Sequence, residues 1–142
     1  MNTETIQEHL TMDVAITSRA KLTGIAPQFL VDDLPRSIEY YCECLGFGLD
    51  FNYESFYASV SRDGCAIHLK AAAKTAADRL HRRQHEHLDA YIALTNAAAL
   101  HEELRSRGAR ITKPLEERPW SCKDFYVEDP DGYILCFSEQ TA

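Results

Sequence analysis

The chain lacks any apolar run of the roughly 18 residues needed to cross a membrane as a helix. It also lacks the basic and then apolar opening of a secretory leader, because it begins MNTETIQEHL. Neither a membrane span nor export is expected, and a cytoplasmic location follows. Paired CxxC spacing is missing too: Cys42, Cys44, Cys65, Cys122 and Cys136 are odd in number and scattered, which argues for free thiols in a reducing compartment and against a closed structural zinc site. Basic residues are in short supply, 15 against 22 acidic ones for a net charge of -7, the wrong sign for a generic phosphate-backbone binder. No nucleic-acid partner is expected. There is no G-x-S-x-G, no local Cys and His signature and no glycine-rich phosphate loop, so nucleophilic and phosphoryl-transfer chemistry find no support.

What is present is a strongly patterned C-terminal stretch, PWSCKDFYVEDPDGYILCFSE, from Pro119 to Glu139. Phe125 and Val127 alternate before Asp129-Pro130-Asp131-Gly132, and Tyr133, Leu135 and Phe137 alternate after it. Pro fixes φ, Gly supplies a positive φ, and the alternation makes one face of each flanking strand apolar, so a hairpin is predicted. Upstream, 25–32 reads as a strand, and Asp33-Leu34-Pro35 opens a helix that runs through Ile38, Tyr41 and Leu45 to Gly46. Strands follow at 48–53, 56–62 and 65–70, the last two joined by Asp63-Gly64. Residues 71–87 form a basic, Ala- and Arg-rich connector. A strand at 88–95, a helix at 97–107 capped by Asn96 and closed by Gly108, a short strand at 109–112, a loop at 113–119 and the final hairpin repeat the first pattern. The expected domain organisation is a loosely docked or flexible extension at 1–22 and one domain at 23–142, made of modules at about 25–70 and 88–139.

The segments FLVDDLPRSIEYYCECLGF, YIALTNAAALHEELRSRGA and PWSCKDFYVEDPDGYILCF together resemble the vicinal oxygen chelate superfamily, the group of glyoxalases, bleomycin resistance proteins and extradiol dioxygenases. The closest likeness in character is to its metal-free, bleomycin-resistance-like members. The resemblance implies an α+β fold: two tandem βαβββ modules forming a cupped mixed sheet with helices on the outer face and a ligand in the cup. Unpaired strand edges predict a homodimer, with the cup built either within one chain or across two. Strand alternation is compatible with the cupped fold. Phe29, Val31, Ile67, Leu69, Ile92, Leu94, Leu135 and Phe137 share one apolar face, and Ala26, Gln28, Ala66, His68, Asp89, Tyr91, Ile134 and Cys136 share a more polar one. Metal-dependent members carry one ligand on the first and one on the last strand of each module, which reads across to Ala26, His68, Asp89 and Cys136, with Tyr91 replacing Asp89 if the register moves by two. Ala26 has no donor and Cys136 stands where a carboxylate is wanted, so no metal and no cofactor are expected.

Three readings from different classes stay open. The first is a binder of the bleomycin-resistance type, with antibiotic resistance as its setting, which sequesters a flat aromatic, cationic compound without turnover in a cup lined by Gln28, Tyr57, His68, Asp89, Tyr91, Trp120, Phe125 and Cys136. The second is a metal-dependent lyase, isomerase or dioxygenase. The third is a structural or regulatory domain with no small ligand. His68 is also read as an ordinary strand histidine, Cys136 as a small buried hydrophobe and Trp120 as a packing residue. His81, His85 and His87 of the connector are read as surface residues.

Overall fold

The computed structural model describes residues 20–72 and 88–141. The N-terminal extension up to residue 19, and His81, His85 and His87 of the connector, lie outside the described residues. The first module comprises β1 (Gln28–Val31), α1 (Leu34–Glu39), β2 (Gly48–Tyr53), β3 (Tyr57–Arg62) and β4 (Cys65–Ala71). The second comprises β5 (Ala90–Ala93), α2 (Ala97–Ser106), β6 (Arg110–Arg118), β7 (Cys122–Glu128) and β8 (Ile134–Gln140). Each is a four-stranded mixed sheet with its first strand parallel to its last: β1-β4-β3-β2 and β5-β8-β7-β6. The architecture is the α+β pair of βαβββ units that the pattern of turns and alternation implies.

The helices begin where their caps dictate. The Asp33 side chain accepts from Arg36 N at 3.1 Å, and Pro35 sits in the first turn of α1, where its missing N–H costs nothing. Asn96 caps α2 in the same way, accepting from Ala99 N at 3.2 Å. Past Glu39 the chain widens into a π-helical turn, Tyr40–Cys44, before Gly46 ends it at a φ of +73°. That turn aims Tyr40 and Tyr41 at the second module. Tyr41 donates to Asp129 Oδ2 at 2.9 Å and Tyr40 to the Glu128 carbonyl at 2.8 Å.

The strand expected at 109–112 and the loop expected at 113–119 are one irregular strand, β6, which reaches Arg118. Its pairing with β7 slips between Ile111 and Lys113 and again between Lys113 and Glu116, the second slip spanning Pro114. A proline cannot donate to a ladder, but β6 is an edge strand and tolerates one.

The apolar faces of both sheets join one core. Phe29, Val31, Ile67 and Leu69 from the first module and Phe125, Val127, Leu135 and Phe137 from the second are all buried in the same cluster, with Leu34, Tyr41, Leu45 and Leu104 from the helical segments. The stack of Phe29 on Tyr133, with centroids 4.2 Å apart, crosses the junction. No strand of one sheet pairs with a strand of the other among the described residues. Each sheet therefore turns its polar face away from the shared core.

Candidate functional site

On the polar face of the first sheet, Gln28 on β1 lies beside His68 on β4, and His68 lies opposite Ser59 on β3. The side chains are joined. Gln28 Nε2 donates to the Tyr57 hydroxyl at 2.9 Å, and that hydroxyl is 2.8 Å from His68 Nδ1. Phe51 completes an aromatic group, lying near-parallel to Tyr57 and edge-on to His68, with both centroid separations at 6.3 Å. A bulge brings it there. Leu49 on β2 opposes Val60 of the core face, but the register slips before Phe51, which opposes Ser59 of the polar face. The same slip lets Asp50 accept from Ser59 Oγ at 2.9 Å and Ser61 Oγ at 2.7 Å, holding a carboxylate beside the rings. A cavity of about 480 Å³ is lined by Phe51, Asn52, Tyr53 and Tyr57.

The polar face of the second sheet is different. Tyr91 pairs with Cys136 across β5 and β8, and Cys136 with Tyr126 across β8 and β7. Arg118 donates through Nε to Asp124 at 2.7 Å and through Nη1 to Glu116 at 3.1 Å. Arg118 and Lys113 both lie over the Tyr126 ring, at 5.9 and 5.5 Å. Arg118 Nη2 and Ser138 Oγ are buried and have no hydrogen-bond partner among the described residues. Cys136 is buried, and burial pushes its thiol up to about 12, so it is no thiolate near neutral pH.

Of the eight residues singled out in the sequence, Gln28, Tyr57 and His68 are brought together on the first sheet, and Tyr91 and Cys136 are neighbours on the second. Asp89 sits where β5 begins; its backbone N–H donates to the Ile134 carbonyl at 2.8 Å, and its carboxylate accepts from Ile134 N at 2.9 Å, fastening that strand to β8. Trp120 is 70% exposed at the tip of the β6–β7 hairpin. Phe125 lies on the opposite face from the cup: it is fully buried, stacked on Phe137 at 5.3 Å and edge-on to His101 of α2. Its place in the alternation with Val127, which the sequence shows, already points to the core. Phe51, Asp50 and Arg118 were missed because bulges in β2 and β6 move them off strict alternation.

The register sets Gln28 beside His68 and Tyr91 beside Cys136. This set does not fit a divalent metal. Cys136 is a buried thiol, Tyr91 is a phenol and Ala26 has no donor, which leaves too few hard ligands, while Gln28 Nε2 and His68 Nδ1 both bond the Tyr57 hydroxyl. No group of three or more His, Cys, Asp and Glu side chains able to hold a metal occurs among the described residues.

The family model for the Glyoxalase/Bleomycin resistance protein/Dioxygenase superfamily matches residues 23–137. Among solved structures, the bleomycin-binding protein of bleomycin-producing Streptomyces verticillus, in complex with copper(II)-bleomycin, is 25% identical with a TM-score of 0.61, covering 87% of this chain and 99% of its own. A bleomycin resistance determinant encoded on the transposon Tn5 is 19% identical with a TM-score of 0.69, covering 85% and 100%. A glyoxalase-related enzyme from Clostridium phytofermentans is 17% identical with a TM-score of 0.68, covering 87% and 98%. A search of curated proteins gave no match. No helix among the described residues is long and apolar enough to cross a membrane.

Proposed function

Because the chain belongs to the Glyoxalase/Bleomycin resistance protein/Dioxygenase superfamily, we propose that it is a cytoplasmic small-molecule binding protein that sequesters a flat aromatic cation without turning it over. The observation that carries this reading is the Phe51, Tyr57 and His68 group with the Asp50 carboxylate beside it, next to an open cavity. Aromatic faces stabilise a flat cation through stacking and through the ring quadrupole, and a nearby carboxylate adds attraction that weakens with salt. Asp50 takes the part that the sequence suggested for Asp89. Tyr91, Cys136 and Trp120 belong to the other sheet, whose polar face also turns away from the common core. They join the first group only when a second copy of the chain brings the two faces together, so the reading includes a homodimer. The S. verticillus protein is a bleomycin-binding protein complexed with copper(II)-bleomycin, which supports small-molecule binding as the role of this fold here.

The test is calorimetric titration with N-methylquinolinium, naphthalene and bleomycin. The cation is expected to bind more tightly than naphthalene, and Phe51→Ala to weaken it roughly tenfold, the scale of a lost aromatic and cation–π contact. A folded protein that gives no saturable heat with any of the three would overturn the reading.

A further inference from the structure

The hydrogen bonds around His68 fix more than its position. Tyr57 lies between two nitrogens, Gln28 Nε2 at 2.9 Å and His68 Nδ1 at 2.8 Å. An amide nitrogen only donates, so the phenol oxygen accepts from Gln28. If His68 Nδ1 carried a hydrogen, the phenol would accept twice and its own hydrogen would have no partner. With Nδ1 bare, every hydrogen in the chain is used: Gln28 donates to Tyr57, and Tyr57 donates to His68. The ring hydrogen then sits on Nε2, which makes no hydrogen bond within the described residues and belongs to the half-buried ring that Phe51 faces edge-on.

We infer that His68 is a specificity-determining donor: its Nε2–H reads a hydrogen-bond acceptor, a ring nitrogen or ring carbonyl, on the flat ligand that the first module holds. This rests on the proposed aromatic cup but adds the chemical class that the cup selects. It also separates this chain from metal-dependent relatives. A histidine that binds a metal through Nε2 must leave that nitrogen bare and normally donates from Nδ1 to a neighbouring acceptor. Here, with the Gln28 amide donating to Tyr57, the Tyr57 contact selects the opposite tautomer. The Gln28 and Tyr57 side chains are positioning residues, and His68 is the group that touches ligand.

Two measurements test this on the full-length protein. Long-range proton–nitrogen NMR of uniformly nitrogen-15-labelled protein, with His68 assigned through His68→Gln, is expected to show a protonated Nε2 and a bare Nδ1 in the neutral ring. In Tyr57→Phe the two tautomers are expected to mix. A protonated Nδ1 in the wild type, or a saturable shift of the His68 Nε2 signal on adding zinc, would overturn the inference. The second measurement compares quinoline with naphthalene, which differ by one ring nitrogen. Quinoline is expected to bind about threefold to tenfold more tightly, the worth of one net hydrogen bond, and His68→Phe is expected to erase that difference while naphthalene binding persists. Equal binding of the two by the wild type overturns the donor role and leaves the aromatic cup standing. If neither binds, and N-methylquinolinium also fails, the cup itself is wrong, and the donor role falls with it.

Discussion

Asp129 shows how one side chain ties sequence to assembly. Its carboxylate is buried and accepts from Asp131 N, Tyr133 N and the Tyr41 hydroxyl, each at 2.9 Å. The two backbone bonds shape the turn, and the third reaches the other module. Burial raises its pKa from 3.8 to about 6, against the lowering effect of those three donors. A carboxyl whose folded value lies above its unfolded one stabilises the fold fully below the unfolded value and loses that contribution as pH rises through the folded value. The window here is about pH 4 to 6. Asparagine keeps an acceptor for the backbone pair but does not titrate. Asp129→Asn is therefore expected to narrow its stability deficit, or gain on the wild type, as pH rises from about 4 to 6, by on the order of 2–3 kcal/mol across the window. Urea melts of both proteins across that range read the difference, and parallel stability curves would refute the shifted carboxyl.

At the scale of elements, the end of the first helical segment is the most constrained point. Gly46 has a φ of +73°, and a Cβ there would lie 2.6 Å from Arg62 Nη1 and 3.1 Å from Glu103 Oε2. Arg62 spans the modules: it donates to the Leu45 carbonyl at 2.9 Å and holds Glu103 of α2 through two bonds of 2.8 Å. Those bonds, led by the one from Arg62, hold the Glu103 carboxyl down at about 2. Gly46→Ala combines a left-handed backbone penalty with displacement of that guanidinium, and a loss of about 2 kcal/mol is expected in denaturant melts. Combined with Arg62→Ala, the losses should fall short of additive, because the clash goes with the side chain. A Gly46→Ala protein as stable as the wild type would show that the junction has more room than these distances allow.

The same scale explains what could be read in the sequence. Gly46, Asp33-Leu34-Pro35, Asp63-Gly64 and Asp129-Pro130-Asp131-Gly132 carry their backbone chemistry in their own identity, so the order of elements was legible. So were the core faces, because Phe29, Val31, Leu135 and Phe137 follow strict alternation. The candidate site was legible only in part. Gln28 and His68 follow that alternation too, but Phe51 and Asp50 reach the polar face through a bulge, which no local pattern of residue types announces. The extent of β6 was hidden for a related reason, since Pro114 reads as a loop residue until the strand is known to lie at an edge.

For the whole molecule, the question is how the two polar faces meet. Both sheets spend their apolar faces on one shared core, and the junction is fastened by the last hairpin turn: Asp131 accepts from Asp32 N at 2.8 Å and Ser37 Oγ at 3.1 Å, and the Tyr133 hydroxyl accepts from Leu30 N at 2.9 Å. Such a junction leaves little freedom for the sheets to swing round and close one cup within a chain. Meanwhile β2 is exposed along its whole length, with Leu49, Phe51 and Tyr53 on an edge strand, and Tyr91 and Trp120 are 64% and 70% exposed on the other module. Long exposed edges and clustered aromatic surface are costly in an isolated chain, and association of two copies covers both. A homodimer is expected, with the first module of one copy facing the second module of the other. Light scattering after size exclusion should give twice 16.1 kDa at micromolar concentration. Tyr91→Glu together with Trp120→Glu should shift the protein toward the monomer and weaken N-methylquinolinium at the same time, because the cup would lose one of its walls. A monomeric wild type, or a monomeric variant that binds the cation as tightly as the wild type, would place the complete site within a single chain.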